Sequence, residues 1–237
     1  MITPNIHSIT YSRARTAIWI LLLFLPEISV SAATSAGAVQ LLPANTEAGY
    51  IARLLINESP FPGERGWLSE EDTKETMLSI LWVLHSRIKH IPAGYRQEQI
   101  AAVKSSDIID VITAGGVKGQ CDGFYRDAKG AFKAVDRVHK RINSLSQIAN
   151  KGEPGKFARL LNYGQGLGSA YMKGGINEAD RFAGITEVGR TRVTGRAYSW
   201  MADKDYYNPG GNFIKIPDDN NGSLGGTRFF TLKELKQ

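Results

Sequence analysis

The chain of 237 residues carries a single cysteine, a formal net charge of +6 and 42% apolar residues. One cysteine excludes an intramolecular disulfide, so stability has to come from a hydrophobic core, and a chain of this length and apolar content can build one in a single domain. Past residue 32, no apolar run approaches the roughly 20 residues that a bilayer-crossing helix needs.

Residues 1–32 read as a secretory signal. Arg13 and Arg15 form a basic start, Ala17 to Leu25 an apolar core, and Val30-Ser31-Ala32 a small-residue cleavage site. The alternative, an uncleaved anchor, requires a longer apolar stretch. The mature chain is then expected outside the cytoplasm, secreted or periplasmic, without stable membrane insertion. Residues 33–45 have the composition of a linker, and residues 46–237 form the domain.

Asn45 or Thr46 is placed to cap a helix in which Ile51, Leu54 and Leu55 follow the spacing of one buried face. The next position on that stripe is Glu58, and Pro60 predicts that the helix ends at or just after it. Burial and the negative end of the helix dipole both disfavour the charged carboxylate, so Glu58 is expected to keep its proton above its ordinary range. A protonated carboxyl group of this kind suits general acid chemistry on a glycosidic oxygen. The competing reading pairs Glu58 with Arg53 or Arg65 as a structural salt bridge.

A loop over 59–68 leads to Ser69, which with Asp72 makes an approximate capping box. Met77, Ile80, Leu81, Leu84 and Ile88 then line a core helix to about Lys89. Two short helices are expected over 97–113, followed by a glycine-rich turn that delivers Gln120, Cys121 and Asp122. A long amphipathic helix is predicted from Ala128 through Phe132, Val135, Val138, Ile142 and Leu145. Between Lys129 and Arg159 the basic residues outnumber Asp136 and Glu153, which is either a solvated helix face or a surface for an anionic polymer.

Pro154 suits the first turn of a further helix through Phe157, Leu160 and Leu161. Gly164-Gln165-Gly166-Leu167-Gly168 lacks dinucleotide spacing and reads as a turn of close backbone approach. Tyr163 and Tyr171 flank it, either as core residues or as surfaces on which a sugar ring stacks. A short helix over 177–183 is expected, and then one strand pair, Phe213–Ile216 with Arg228–Thr231, around a turn at Asn221-Gly222. Asp218, Asp219 and Asn220 lack the later ligands of an EF-hand loop, and His85 and His90 are wrongly spaced for a zinc pair, so neither metal nor cofactor is expected. The pattern predicts a mainly α (α+β) domain with a small C-terminal β-hairpin.

Four segments in order carry a resemblance. Ala52-Arg53-Leu54-Leu55-Ile56-Asn57-Glu58-Ser59, Ile80-Leu81-Trp82-Val83-Leu84-His85-Ser86-Arg87, Gly119-Gln120-Cys121-Asp122 and Gly226-Thr227-Arg228-Phe229-Phe230 are similar to segments of the SleB-type cell-wall hydrolases. Glu58-Ser59-Pro60-Phe61 also resembles the Glu-Ser start of the Slt-type lytic transglycosylases, and Asn162-Tyr163-Gly164 is similar to their Tyr-Asn-Ala-Gly segment. The resemblance implies a lysozyme-like helical domain acting on peptidoglycan glycan strands, with Glu58 as catalytic acid. Glu64, Gln120, Asp122, Tyr163 and Phe229 are the expected substrate contacts, and a hydrolytic muramidase, as opposed to a lytic transglycosylase, would draw a second carboxylate from Glu64, Glu70, Glu71 and Asp122. Neither nucleic acid nor an obligate partner chain is expected, and the protein is read as a monomer.

Two other classes stay open at this point. Gly119-Gln120-Cys121 is similar to the start of CHAP-type peptidoglycan amidases, in which the cysteine opens a helix that lowers its pKa; the histidines available as its partner are His7, His85, His90 and His139. The third reading is a non-enzymatic module that holds an anionic wall polymer on its basic helix.

Overall fold

A computed structural model describes residues 38–151, 155–174, 193, 195–202 and 209–235, all within a unit spanning Ala36–Gln237. The expected signal segment, residues 33–37 of the expected linker, Pro154 and the helix expected over 177–183 lie outside the described residues.

Thr46 opens helix α1 (Glu47–Glu58): its hydroxyl accepts the Gly49 N–H at 3.1 Å, satisfying a donor with no partner within the helix. Ile51, Leu54 and Leu55 are fully buried, and the helix stops at Glu58 because Ser59 is extended (φ −107°, ψ 140°) ahead of Pro60. Residues 39–42, expected to be linker, are tied to the helices. Val39 N–H donates to Asn150 Oδ1 at 2.6 Å, Leu42 N–H to Gln165 Oε1 at 2.5 Å, and Arg53 Nη1 to the Leu42 carbonyl at 2.6 Å.

Helix α2 (Glu70–Lys89) begins at Ser69, whose Oγ accepts the Asp72 N–H at 3.0 Å. Its buried face is wider than the apolar stripe and includes Thr73, Thr76, Ser79 and Arg87. Three of these polar residues reach other segments: Thr73 Oγ1 donates to the Pro60 carbonyl, Thr76 Oγ1 to that of Leu224 and Arg87 Nε to that of Tyr198. The two short helices, α3 (Gln97–Ala101) and α4 (Ile108–Thr113), fall where expected.

The long helix expected from Ala128 is corrected by the structure. Strands β1 (Phe124–Arg126) and β2 (Phe132–Ala134) form a hairpin, and α5 (Asp136–Ala149) starts only after it. Asp127 is the cause. Its Oδ1 accepts the N–H groups of Lys129 and Ala131 at 2.9 and 3.0 Å, and Gly130 takes a φ of +80°, which closes a turn where a helix would otherwise run. Phe132 still reaches the core, packing on Tyr50 with ring centroids 5.0 Å apart, but from a strand.

The turn expected at 164–168 is also corrected, because α6 (Lys156–Met172) runs straight through it. The glycines serve helix packing. A Cβ on Gly168 would fall 2.4 Å from the Ala48 carbonyl oxygen, and one on Gly164 would fall 3.0 Å from Ile56 Cγ1. The backbone of α6 therefore lies directly against α1, the helix that ends at Glu58.

At the C-terminus β6 (Thr227–Leu232) is the centre of a four-stranded antiparallel sheet, not one arm of a single hairpin. Strand β4 (Phe213–Lys215) pairs with it as expected, Ile214 opposite Thr231. Strand β3 (Ser199–Ala202) takes its other edge and sets Trp200 opposite Phe229. Strand β5 (Ser223–Leu224) folds back through Gly225-Gly226. Asp218 Oδ1 accepts the N–H groups of Asn220 and Gly222, so it closes the turn leading into β5. The fold is mixed α+β, with six α-helices and small antiparallel sheets among the described residues. None of those helices is long and apolar enough to cross a membrane.

Candidate active site

Glu58 is the last residue of α1, and its carboxylate is held from both sides. Asn57 Nδ2 donates to Oε1 at 3.0 Å, and the indole Nε1–H of Trp200 donates to Oε2 at 3.2 Å from strand β3. Part of the residue still meets solvent, but burial of the carboxyl group pushes its pKa up. The hydrogen bonds from Trp200 and Asn57 work the other way, as do the charges of Arg137 and Arg141. Loss of hydration wins, so the protonated form is favoured beyond the ordinary carboxylate range.

The salt bridge proposed as the competing reading is not formed with Arg53. That guanidinium donates to the carbonyls of Leu42 and Gly49 at the opposite end of α1. The helix end is instead served by Arg141 of α5, whose Nη1 donates to the Ile56 carbonyl at 2.6 Å and Nη2 to that of Ser59 at 2.9 Å. A cation on the terminal carbonyls offsets the negative end of the helix dipole, so the shift at Glu58 comes from burial.

The same arginine occupies Glu64. Arg141 Nε and Nη2 grip its carboxylate at 3.0 and 2.5 Å, and the Phe61 N–H donates to Oε2 at 2.8 Å. Glu64 therefore closes the loop after Glu58. Asp122 is exposed and ion-paired with Arg137 at 2.5 Å, which brings it to the edge of the site through a residue whose charge also acts on Glu58. Glu70 is held by Arg159 at 2.8 Å and Lys74 at 2.8 Å, and their hydrogen bonds keep its carboxyl well below the usual range, at about 2.

Of the expected substrate contacts, Gln120 is exposed in the turn before β1, and Tyr163 is half-buried on α6, packed against the core. Phe229 is fully buried, so none of its ring faces solvent; its cross-strand neighbour Trp200 is the aromatic residue that reaches the carboxylate. Cys121 is buried as well. Its thiol is pushed up to about 12 by loss of hydration, and the residues after it enter strand β1 rather than a helix. The helix dipole that activates an amidase cysteine is therefore absent at this position.

Trp200, Arg141 and Arg137 were not legible as site residues. Trp200 contacts Glu58 across 142 positions of sequence, from a strand that carries no alternating pattern. No known protein family, curated protein or solved structure matches the chain.

Proposed function

We propose that the protein is a secreted or periplasmic enzyme with a lysozyme-like domain that cleaves the glycan backbone of peptidoglycan, with Glu58 as its single general acid and base. The observation that carries this reading is the state of Glu58: a carboxyl group at a helix end, favoured as the acid by burial, with two donors in place for the carboxylate it becomes. In the first step the Glu58 proton passes to the glycosidic oxygen as the bond from C1 breaks. In the second, the carboxylate takes a proton from the hydroxyl that attacks C1.

The lytic transglycosylase route is favoured over hydrolysis. There the attacking group is the sugar's own 6-hydroxyl, and one carboxylate suffices. Of the four candidates for a second carboxylate, Glu64, Glu70 and Asp122 are each engaged by an arginine, and Glu71 is exposed in the first turn of α2. The same pairs occupy Arg137, Arg141 and Arg159 and weaken the reading of the basic stretch as a polymer-binding face. Mass spectrometry of digested sacculi tests the choice: anhydro-muramyl ends are expected, and reducing ends alone would mean a hydrolase with an unidentified base.

A further inference from the structure

Arg87 of α2 is a buried cation that makes no hydrogen bond to the Glu58 carboxylate. Only 3% of its surface is exposed, its Nε donates to the Tyr198 carbonyl at 2.9 Å, and its Nη1 has no acceptor. A charge withdrawn from water with part of its donor set unmatched is costly to fold around, and an apolar side chain of similar length would fill the space more cheaply. What the guanidinium faces is Trp200, whose ring centre lies 5.3 Å from Cζ. That same indole donates to Glu58 Oε2.

Resting on the reading of Glu58 as an acid–base group, we propose that Arg87 is a positioning residue that acts on Glu58 through Trp200, fixing the indole and polarising its Nε1–H toward Oε2. A cation over the ring face draws π density toward itself and strengthens the N–H as a donor. The carboxylate left after proton transfer is then received by a chain that ends in a positive charge. Burial favours the proton on Glu58, and this chain favours its release. Around Glu58 stand Arg137 and Arg141 from α5, Asn57 beside it on α1 and Trp200 from β3; Cys121, from the turn before β1, interacts electrostatically with both Glu58 and Arg87. The two α5 arginines are neutralised by Asp122 and Glu64, whereas none of the ion pairs among the described residues includes Arg87.

The test titrates Glu58 in the purified full chain by carbon NMR of labelled glutamate carboxyls, the signal being assigned by its loss in Glu58→Gln, and in parallel follows the pH profile of sacculus digestion. Arg87→Met is expected to raise the Glu58 midpoint by about one pH unit, the scale of a desolvated cation–π contact. It is also expected to lower kcat about tenfold with KM unchanged. Arg87→Lys, which retains a cation, is expected to shift the midpoint less, and either shift should vanish when Trp200 is replaced by Phe. A midpoint that stays put in folded Arg87→Met overturns the proposal, as does a shift that persists in the Trp200→Phe background. If Arg87→Met does not fold, the comparison of Arg87→Lys with and without Trp200→Phe decides on the same criteria. A chain without lytic activity whose Glu58 midpoint moves as stated supports the chain from Arg87 and removes the glycan-cleavage reading; lytic activity with an unmoved midpoint does the reverse.

Discussion

Replacing Arg141 by Met tests how the end of α1 is held. The arginine donates to the carbonyls of Ile56 and Ser59 and makes a two-point ion pair with Glu64, while methionine keeps most of the stem and loses every donor. The two side chains are 25% and 35% exposed, so water screens the pair and its own contribution is about 1 kcal/mol. Each carbonyl loses a charge-assisted bond at a partly wetted helix end, about 1 kcal/mol apiece, for a total near 3 kcal/mol. In a domain of this size that lowers Tm by about 6–12 °C. The assay is a thermal melt followed by circular dichroism, with sacculus digestion measured well below the variant's melting point. Digestion should fall too, since Glu58 sits between the two released carbonyls. Glu64→Gln keeps an acceptor for the Phe61 N–H and is expected to cost only about 1 kcal/mol and to remain active. An Arg141→Met variant that melts within about 2 °C of wild type would refute this reasoning, and a folded but inactive Glu64→Gln would make Glu64 a chemical participant.

Gly168→Ala places a methyl group 2.4 Å from the Ala48 carbonyl and is expected to destabilise by about 1–3 kcal/mol, whereas Gly166→Ala meets nothing within 4 Å and is expected to stabilise by about 1 kcal/mol; urea melts of the two should differ in sign. Burial holds the folded pKa of Glu58 above its unfolded value, so wild-type stability falls as pH rises from the ordinary carboxylate range through the raised value. Glu58→Gln lacks that slope: it should match wild type at pH near 4 and melt no lower at pH near 8, and a clearly lower melt at the higher pH would return Glu58 to a structural role. Cys121→Ser is expected to leave sacculus digestion intact, and the native thiol should react with Ellman's reagent only on unfolding, since burial pushes it up to about 12; rapid labelling of folded protein would contradict that.

Local signals were readable wherever neighbours in sequence decide the outcome. Thr46, Ser69 and Pro60 set the limits of α1 and the start of α2 through groups within four residues of one another. The stripe that carries Glu58 inward needed only helical spacing. Spacing misled where a side chain competed with the helix: Ala128 and Phe132 fit the periodicity of α5, but the carboxylate of Asp127 bonds its own backbone, and Gly130 supplies the left-handed residue the hairpin needs. Gly164 and Gly168 were ambiguous for the opposite reason. A glycine that permits a turn and a glycine that permits helix contact look alike until Ala48 and Ile56 are seen against them. The surroundings of Glu58 were the least readable, because Trp200 reaches its carboxylate, and Arg141 the backbone on either side of it, only once β3 and α5 are packed, and no local pattern records that meeting.

The most direct measurement is the clearing of a suspension of purified sacculi by wild type and Glu58→Gln at equal concentration, with melts showing both to be folded. Wild type is expected to clear the suspension and release glycan fragments with anhydro-muramyl ends, while Glu58→Gln releases none. Clearing by Glu58→Gln at the wild-type rate, or no release by the wild-type protein, would contradict that expectation.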